Sequence, residues 1–294
     1  MSLSKKIKAI LLDKLSQYRG QKVALGLSSG IDSNAVLLIL KELSVRVHAY
    51  SFCLDGRSTE DVWVARKNAD RLGVDFTPVF LPSNIRSLMD DVAFLIHSVG
   101  LEKKTMIECL WCLLHMSREV KEETIILGLG IDSLFANAKG PKLQFRFNLD
   151  RLNAYRQAKI KNVRTQLRIL NQQGHGKKFV GAYDDDRLVD AFSTVSWDEA
   201  NRGNPRKAPL YRMFNLKDEP PISINPPMNF QCGDSGIREH FAKLMDTEWR
   251  PPTGTTVISL YNHVRKGKIG NPKESVLWQP IKSCQEVSGS STTR

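Results

Sequence analysis

Leu27-Ser28-Ser29-Gly30-Ile31-Asp32-Ser33 stands between an apolar run, residues 21–27 (QKVALGL), and a stretch of helical periodicity, residues 33–43 (SNAVLLILKEL). The order is buried strand, tight turn of small residues, amphipathic helix. A helix N-terminus offers N–H groups with no intrahelical partner and the positive end of its dipole, so it suits an anion. Small residues at 28–30 let phosphate oxygens approach the backbone, and Ser28 and Ser33 add hydroxyl donors. Asp32 alone would repel phosphate; its natural task is to hold a divalent cation between phosphates. The plainer alternative is a strand-to-helix turn with serine capping.

The pattern around this turn repeats. Residues 45–53 alternate as a strand, 59–72 read as a helix ending at Gly73, and 75–81 form a third strand bounded by Pro82. Residues 84–98 and 105–121 have helical character, and 124–129 (TIILGL) read as a fourth buried strand. Strands alternating with helices predict a parallel sheet with helices on both faces, and such sheets bind ligands beyond the carboxyl ends of their strands. The second half reads differently. Residues 149–172 and 186–195 look helical, 218–229 are proline-rich and cannot sustain a helix, and 235–246 could form a short one. Ser288–Arg294 is small and polar and is expected to be disordered.

The phosphate-loop string resembles the S-G-G-x-D-S loop of PP-loop ATP pyrophosphatases, with Ser29 in place of the first glycine. The resemblance extends to the synthetase domain of asparagine synthetases and β-lactam synthetases. Val62 to Leu81 has their helix, with Ala65 and Ala69, then Leu72-Gly73 and a strand. Ile126-Leu127-Gly128-Leu129-Gly130-Ile131-Asp132-Ser133-Leu134-Phe135 resembles their second motif, G-x-G-x-D-E-x-F. More weakly, Tyr183-Asp184-Asp185-Asp186-Arg187-Leu188-Val189 is similar to P-F-L-D-x-x-L-V, with Asp185 at the aspartate. Lys207, in Arg206-Lys207-Ala208-Pro209-Leu210, matches a family lysine. Gln231-Cys232-Gly233-Asp234-Ser235-Gly236 is a distant likeness to which no role is attached.

The resemblance implies a HUP-like (adenine nucleotide α-hydrolase) sheet domain over residues 1–145, a mainly helical substrate region over 146–250, and an extension over 251–294. It implies ATP as the bound nucleotide, on Leu27, Ser28, Ser29, Gly30, Asp32, Ser33, Gly128, Gly130 and Asp132. The adenine is expected against the strand Tyr50-Ser51-Phe52, so Ser51 and Phe52 join the binding set. Asp32 and Asp132 are the expected Mg²⁺ ligands, while Asp32 and Lys207 carry catalysis. Lys207 would neutralise charge on the departing pyrophosphate, where a fixed cation is worth most. The implied activity is AMP-forming ligation: a carboxylate or carbonyl oxygen is adenylated, pyrophosphate leaves, and an amine takes the activated group.

Two departures bear on the acceptor step. Glutamine-dependent relatives begin with a glutaminase domain carrying an N-terminal cysteine, whereas this chain starts at the synthetase-like part and residue 2 is Ser2. The expected donor is therefore ammonia or another amine, or ammonia from a separate glutaminase. Positions where many asparagine synthetases carry acids are here Leu129 and Ser133, so leucine cannot serve as a base near the amine. The substrate is not expected to be aspartate.

Cys109-Leu110-Trp111-Cys112 opens a second reading, because i and i+3 share a helix face and two thiols there could share a ligand. Some PP-loop enzymes that thiolate tRNA carry such a pair; the structural alternative is two small buried hydrophobes. Cys53, Cys232 and Cys284 are scattered and supply no second pair. Lys282-Ser283-Cys284-Gln285 does not match the cysteine motif of phosphosulfate reductases. A non-catalytic nucleotide-binding protein would have no need to keep Asp32, Asp132 and Lys207 together.

Charge is unevenly spread over the 294 residues, whose net charge is +12. Residues 1–140 carry 18 Lys+Arg against 16 Asp+Glu, and residues 141–294 carry 25 against 15. The densest stretch, 142–178, holds Lys142, Arg146, Arg151, Arg156, Lys159, Lys161, Arg164, Arg168, Lys177 and Lys178 against Asp150. With Phe145, Phe147 and Tyr155 nearby it could bind RNA or DNA, or it is a solvated helix face. No long apolar run or secretory leader is apparent, and five cysteines do not suggest a disulfide framework, so a cytoplasmic, non-membrane protein is expected.

Overall fold

The computed structural model describes residues 1–57, 59–137, 144–201, 205–215, 222–225, 235–246, 262–267 and 269–278. Lys142, Cys232, Cys284, the Gln231–Asp234 part of the glutamine motif, most of the proline-rich stretch and the polar C-terminus lie outside the described residues. In chain order the main elements are α1 (Leu3–Leu15), β1 (Lys22–Gly26), α2 (Ile31–Glu42), β2 (Arg46–Leu54), α3 (Glu60–Arg71), β3 (Asp75–Leu81), α4 (Ile85–His97), α5 (Lys104–Glu119), β4 (Thr124–Leu127) and α6 (Ile131–Phe135). There follow α7 (Leu149–Gln173), β5 (Lys178–Gly181), α8 (Asp186–Ser193), α9 (Trp197–Asn201), α10 (Ala208–Arg212) and α11 (Ile237–Ala242).

The five strands form one parallel sheet in the order β3-β2-β1-β4-β5. Alternate residues face opposite helical layers, as the period-2 geometry of a strand requires. Val23, Leu25 and Ile126 pack with α1, α2 and α8 through Leu11, Val36, Ile39 and Phe192. Ala24, Ile125 and Leu127 pack on the other face with α4 and α5 through Val92, Leu110 and Trp111. Both faces are covered, which is why the strands read as near-continuous apolar runs. This is the HUP-like fold expected.

The fifth strand is a finding. Lys178–Gly181 pairs with β4 in register Thr124↔Lys178 to Leu127↔Gly181, so the sheet draws on the stretch read as mainly helical. Lys14 locks this edge by donating its ammonium to the carbonyls of Gly181 and Asp184. No helix among the described residues is long and apolar enough to cross a membrane.

The strand order fixes where a ligand can sit. From β1 the chain moves outward through β2 to β3, then returns to place β4 on the other side of β1. The connections leaving β1 and β4 therefore diverge, and a crevice opens between their carboxyl ends. Both motifs singled out above lie at this crevice: residues 27–33 follow β1 and residues 128–132 follow β4.

Candidate active site

The loop after β1 is held from several sides. The Leu27 N–H donates to the Tyr50 carbonyl at 2.8 Å, continuing the ladder one residue past β1. The Ser33 hydroxyl accepts from the Ser28 N–H at 3.0 Å and lies 3.0 Å from the Ser28 hydroxyl, which accepts from the Gly30 N–H at 3.2 Å. The Asn34 amide donates to the carbonyls of Ser28 and Gly30, both at 2.8 Å. Asn34 in turn accepts from Asn68 on α3 at 3.0 Å, and Asn68 also bonds the backbone of Ser223. A buried chain of amides thus braces the turn from behind.

The N-cap of α2 is Gly30, and no side chain caps this helix. Among the described residues the N–H groups of its first turn therefore have neither an intrahelical acceptor nor a capping oxygen, the arrangement that receives phosphate. Ser29 uses its departure from glycine: its N–H and hydroxyl both donate to Asp61 Oδ1, at 2.9 and 2.5 Å. Asp61 belongs to the first turn of α3 and was not singled out in the sequence.

The second motif fits against the first at close range. A Cβ on Gly128 would stand 3.1 Å from the Ser33 nitrogen and 3.2 Å from the Asp32 carbonyl carbon, so only a bare backbone sits here comfortably. Gly130 has φ +110°, and a Cβ on it would meet Tyr183 at 3.2 Å. Both the conformation and the space favour glycine. The Tyr183 hydroxyl donates to the Asp32 carbonyl at 2.9 Å, linking the segment after β5 to the start of α2. The two glycines and Tyr183 aim Asp32 and Asp132 at one space.

Lys207 completes the centre. Its ammonium lies 2.8 and 2.6 Å from the two Asp32 carboxylate oxygens and 2.5 Å from Asp132 Oδ1. The side chain is buried, and its backbone is left-handed, with φ 62° and ψ 31°, at the N-cap of α10. A non-glycine residue in that region is strained and persists where its surroundings over-determine it. Here Leu210 and Tyr211 of α10 are anchored in the core. Burial raises the pKa of Asp32 most; Lys207 pulls it down and Asp132 pushes it up again, leaving it near 6. Burial works against the Lys207 ammonium, but the two carboxylates outweigh it and its pKa is raised.

Among the described residues the two carboxylates share one ammonium, which leaves that group of three one positive charge short. Among the described residues no third His, Cys, Asp or Glu joins them. The Asp132 side chain is 72% exposed. An open pair of hard oxygen ligands fits a Mg²⁺ that brings water and phosphate oxygens of its own.

Other expected residues fall as follows. Ser51 is buried and Phe52 half-buried near the carboxyl end of β2, just past the level of Gly26, whose partner is Tyr50. The Tyr50 hydroxyl is turned to Glu122 at 2.8 Å, by the opposite end of β4 from the crevice. Asp185 is the N-cap of α8, accepting from the Arg187 N–H at 2.9 Å and from its guanidinium. Cys112 is fully buried on α5, and its thiol donates to the Glu108 carbonyl at 3.2 Å. Burial raises the thiol pKa of both cysteines, that of Cys109 to about 12. Neither is poised as a thiolate.

The family model described as asparagine synthase matches residues 18–219. The stretch spans both phosphate-loop motifs and Lys207. No curated protein matches the chain at a significant level. Similar solved structures include the U34-tRNA thiolase NcsA from Methanococcus maripaludis, at 14% identity and TM-score 0.40, covering 90% of this chain and 77% of that one. Another is a predicted subunit of tRNA methyltransferase from Methanocaldococcus jannaschii, at 15% identity and TM-score 0.34, covering 71% and 94%.

Proposed function

Because the chain belongs to the asparagine synthase family, and is thus an ATP-using PP-loop enzyme, we propose that it is an AMP-forming ligase that adenylates a carboxylate or carbonyl oxygen and passes the activated group to an amine, ammonia included. The observation that carries this reading is the convergence of Asp32, Asp132 and Lys207 beside the uncapped first turn of α2.

The chemistry follows from those groups. The first-turn N–H groups of α2 and the Ser28 and Ser33 hydroxyls receive the phosphates. Asp32 and Asp132 would hold Mg²⁺, which would supply charge neutralisation to the phosphate oxygens. Ser51 and Phe52 flank the adenine. The substrate oxygen forms a bond to the α-phosphorus as the bond to the bridging oxygen of pyrophosphate breaks, and pyrophosphate departs with that electron pair. Lys207, buried and held protonated by its neighbours, offers its positive charge where negative charge develops on the leaving group. The amine then attacks the activated carbon and AMP leaves. Leu129 and Ser133 flank Asp132 with no carboxylate, so the proton on the attacking amine goes to another acceptor, such as solvent or the departing AMP.

The test is product analysis with radiolabelled ATP and pools of metabolites and nucleic acid. AMP and pyrophosphate in equal amounts are expected with the true substrate. ADP and orthophosphate would overturn the assignment.

A further inference from the structure

Ten basic residues crowd positions 142–178, but the structure divides them sharply. Arg156 is buried and spends its guanidinium on the carbonyls of Leu134, Phe192 and Val195 at 2.7 to 2.9 Å. Arg164 pairs with Asp184 and Asp186, and Arg146 with Asp198. Arg151 and Lys159 have no carboxylate within ion-pair distance among the described residues. Both are exposed on α7 and, with Tyr155 between them, follow one another at i, i+4 and i+8, so they form one stripe.

That stripe is aromatic as well as basic. Phe145 and Tyr155 have ring centroids 5.6 Å apart at 39°, and the Lys159 ammonium sits over the Tyr155 ring at 5.3 Å. Two residues on from Phe145, Phe147 is 90% exposed, with the Arg146 guanidinium 5.2 Å from its centroid. A lone exposed apolar residue needs no explanation. Three rings within residues 145–155, two of them each with a cation over the face, are a different matter, since flat faces and nearby positive charge are what bases and phosphates require.

The stripe also borders the reaction centre. The Arg156 Nε bond to the Leu134 carbonyl, 2.8 Å, ties α7 to the short helix carrying Asp132. The Asp132 charge adds to burial in raising the pKa of the Tyr155 hydroxyl.

We propose that Phe145, Phe147, Tyr155, Arg151 and Lys159 form the docking surface for a single-stranded nucleic acid, which brings the group to be activated to the mouth of the Asp32–Asp132 crevice. The rings stack bases and the two cations track phosphates. The binding stands by itself; only the delivery of a group for activation rests on the adenylation reading.

The experiment is fluorescence anisotropy of labelled oligo-uridine and oligo-deoxythymidine, without ATP, at low and moderate salt. The wild type should bind at least one of them, with affinity falling steeply as salt rises. Phe147→Ala should weaken binding by about fivefold or more. The double variant Arg151→Ala/Lys159→Ala should weaken it further and flatten the salt dependence by roughly two counterions. These side chains are exposed, and circular dichroism of each variant should match the wild type. Asp32→Asn should bind the oligonucleotide normally while its AMP formation falls by about 10³-fold, which separates this proposal from the enzymatic one. No binding at low salt would overturn the proposal. So would equal affinity across the variants, or equally tight binding of poly-glutamate.

Discussion

Asp32 and Asp91 are both withdrawn from water, one on each side of the sheet, yet they are treated in opposite ways. Asp91 is fully buried on α4 and accepts from Trp111 Nε1 at 2.9 Å, His115 Nε2 at 2.8 Å and the Ser275 hydroxyl at 2.7 Å. Its oxygens are served by three donors, and among the described residues no second acid shares them. Asp32 instead shares its one cation with Asp132 and is pushed toward its protonated form. A buried carboxylate whose oxygens are saturated belongs to the architecture. One set beside a like charge, with a single ammonium for both among the described residues, fits a ligand that brings more positive charge.

This contrast can be broken by experiment. The largest effect is expected from Asp32→Asn, which should cut AMP formation by about 10³-fold, the scale on which a preorganised charged group acts, while leaving thermal stability unchanged or higher. A rate near wild type would remove Asp32 from the reaction. Lys207→Met should lower turnover by roughly 10²-fold and also move the acid limb of kcat/KM. The sign follows from the charges: Lys207 favours ionised Asp32, so its loss raises an Asp32 pKa already near 6, and activity should fade at higher pH than in the wild type. A limb that moves toward lower pH would show that another group titrates.

Asp91→Asn should invert the pattern. Replacing one acceptor by an amide sets donor against donor, at about 2–3 kcal/mol, so the melting temperature should fall by several degrees while kcat stays within twofold. A large loss of kcat without loss of stability would erase the distinction. The smallest effect is expected from Tyr183→Phe, which removes one hydrogen bond to the Asp32 carbonyl. About 1 kcal/mol should appear mainly in KM for ATP, measured by initial rates.

Much of the frame was legible because its signals are local. The four strands of residues 22–127 and the helices between them announce themselves by periodicity, and the small residues at 28–30 by their place after a strand. β5 was not legible: Lys178–Gly181 has only Phe179 and Val180 as apolar residues after two lysines, whereas the equally short β4 runs apolar from Ile125 to Leu127, and its strand character comes from pairing with β4. Asp61, Asn68 and Tyr183 were missed at the site for a similar reason. Each acts through a partner more than thirty residues away, and nothing in its own neighbourhood shows that partner. Arg156 shows the converse: in a tally of charges it counts toward a basic face, but its place on the inner side of α7 makes it a buried fastener.

The pairing of Lys207 with two acids far upstream has a consequence for the order of assembly. Asp32 and Asp132 leave the ribosome well before Lys207, which trails the second acid by roughly 75 residues, or about 4–15 s at ordinary synthesis rates. Until then Asp32 and Asp132 lack the ammonium that lies between them in the folded chain, and solvent alone offsets their repulsion. The residue that partly neutralises the pair is thus the last of the three to be made, and the charge balance of the centre is set only once the chain has passed it.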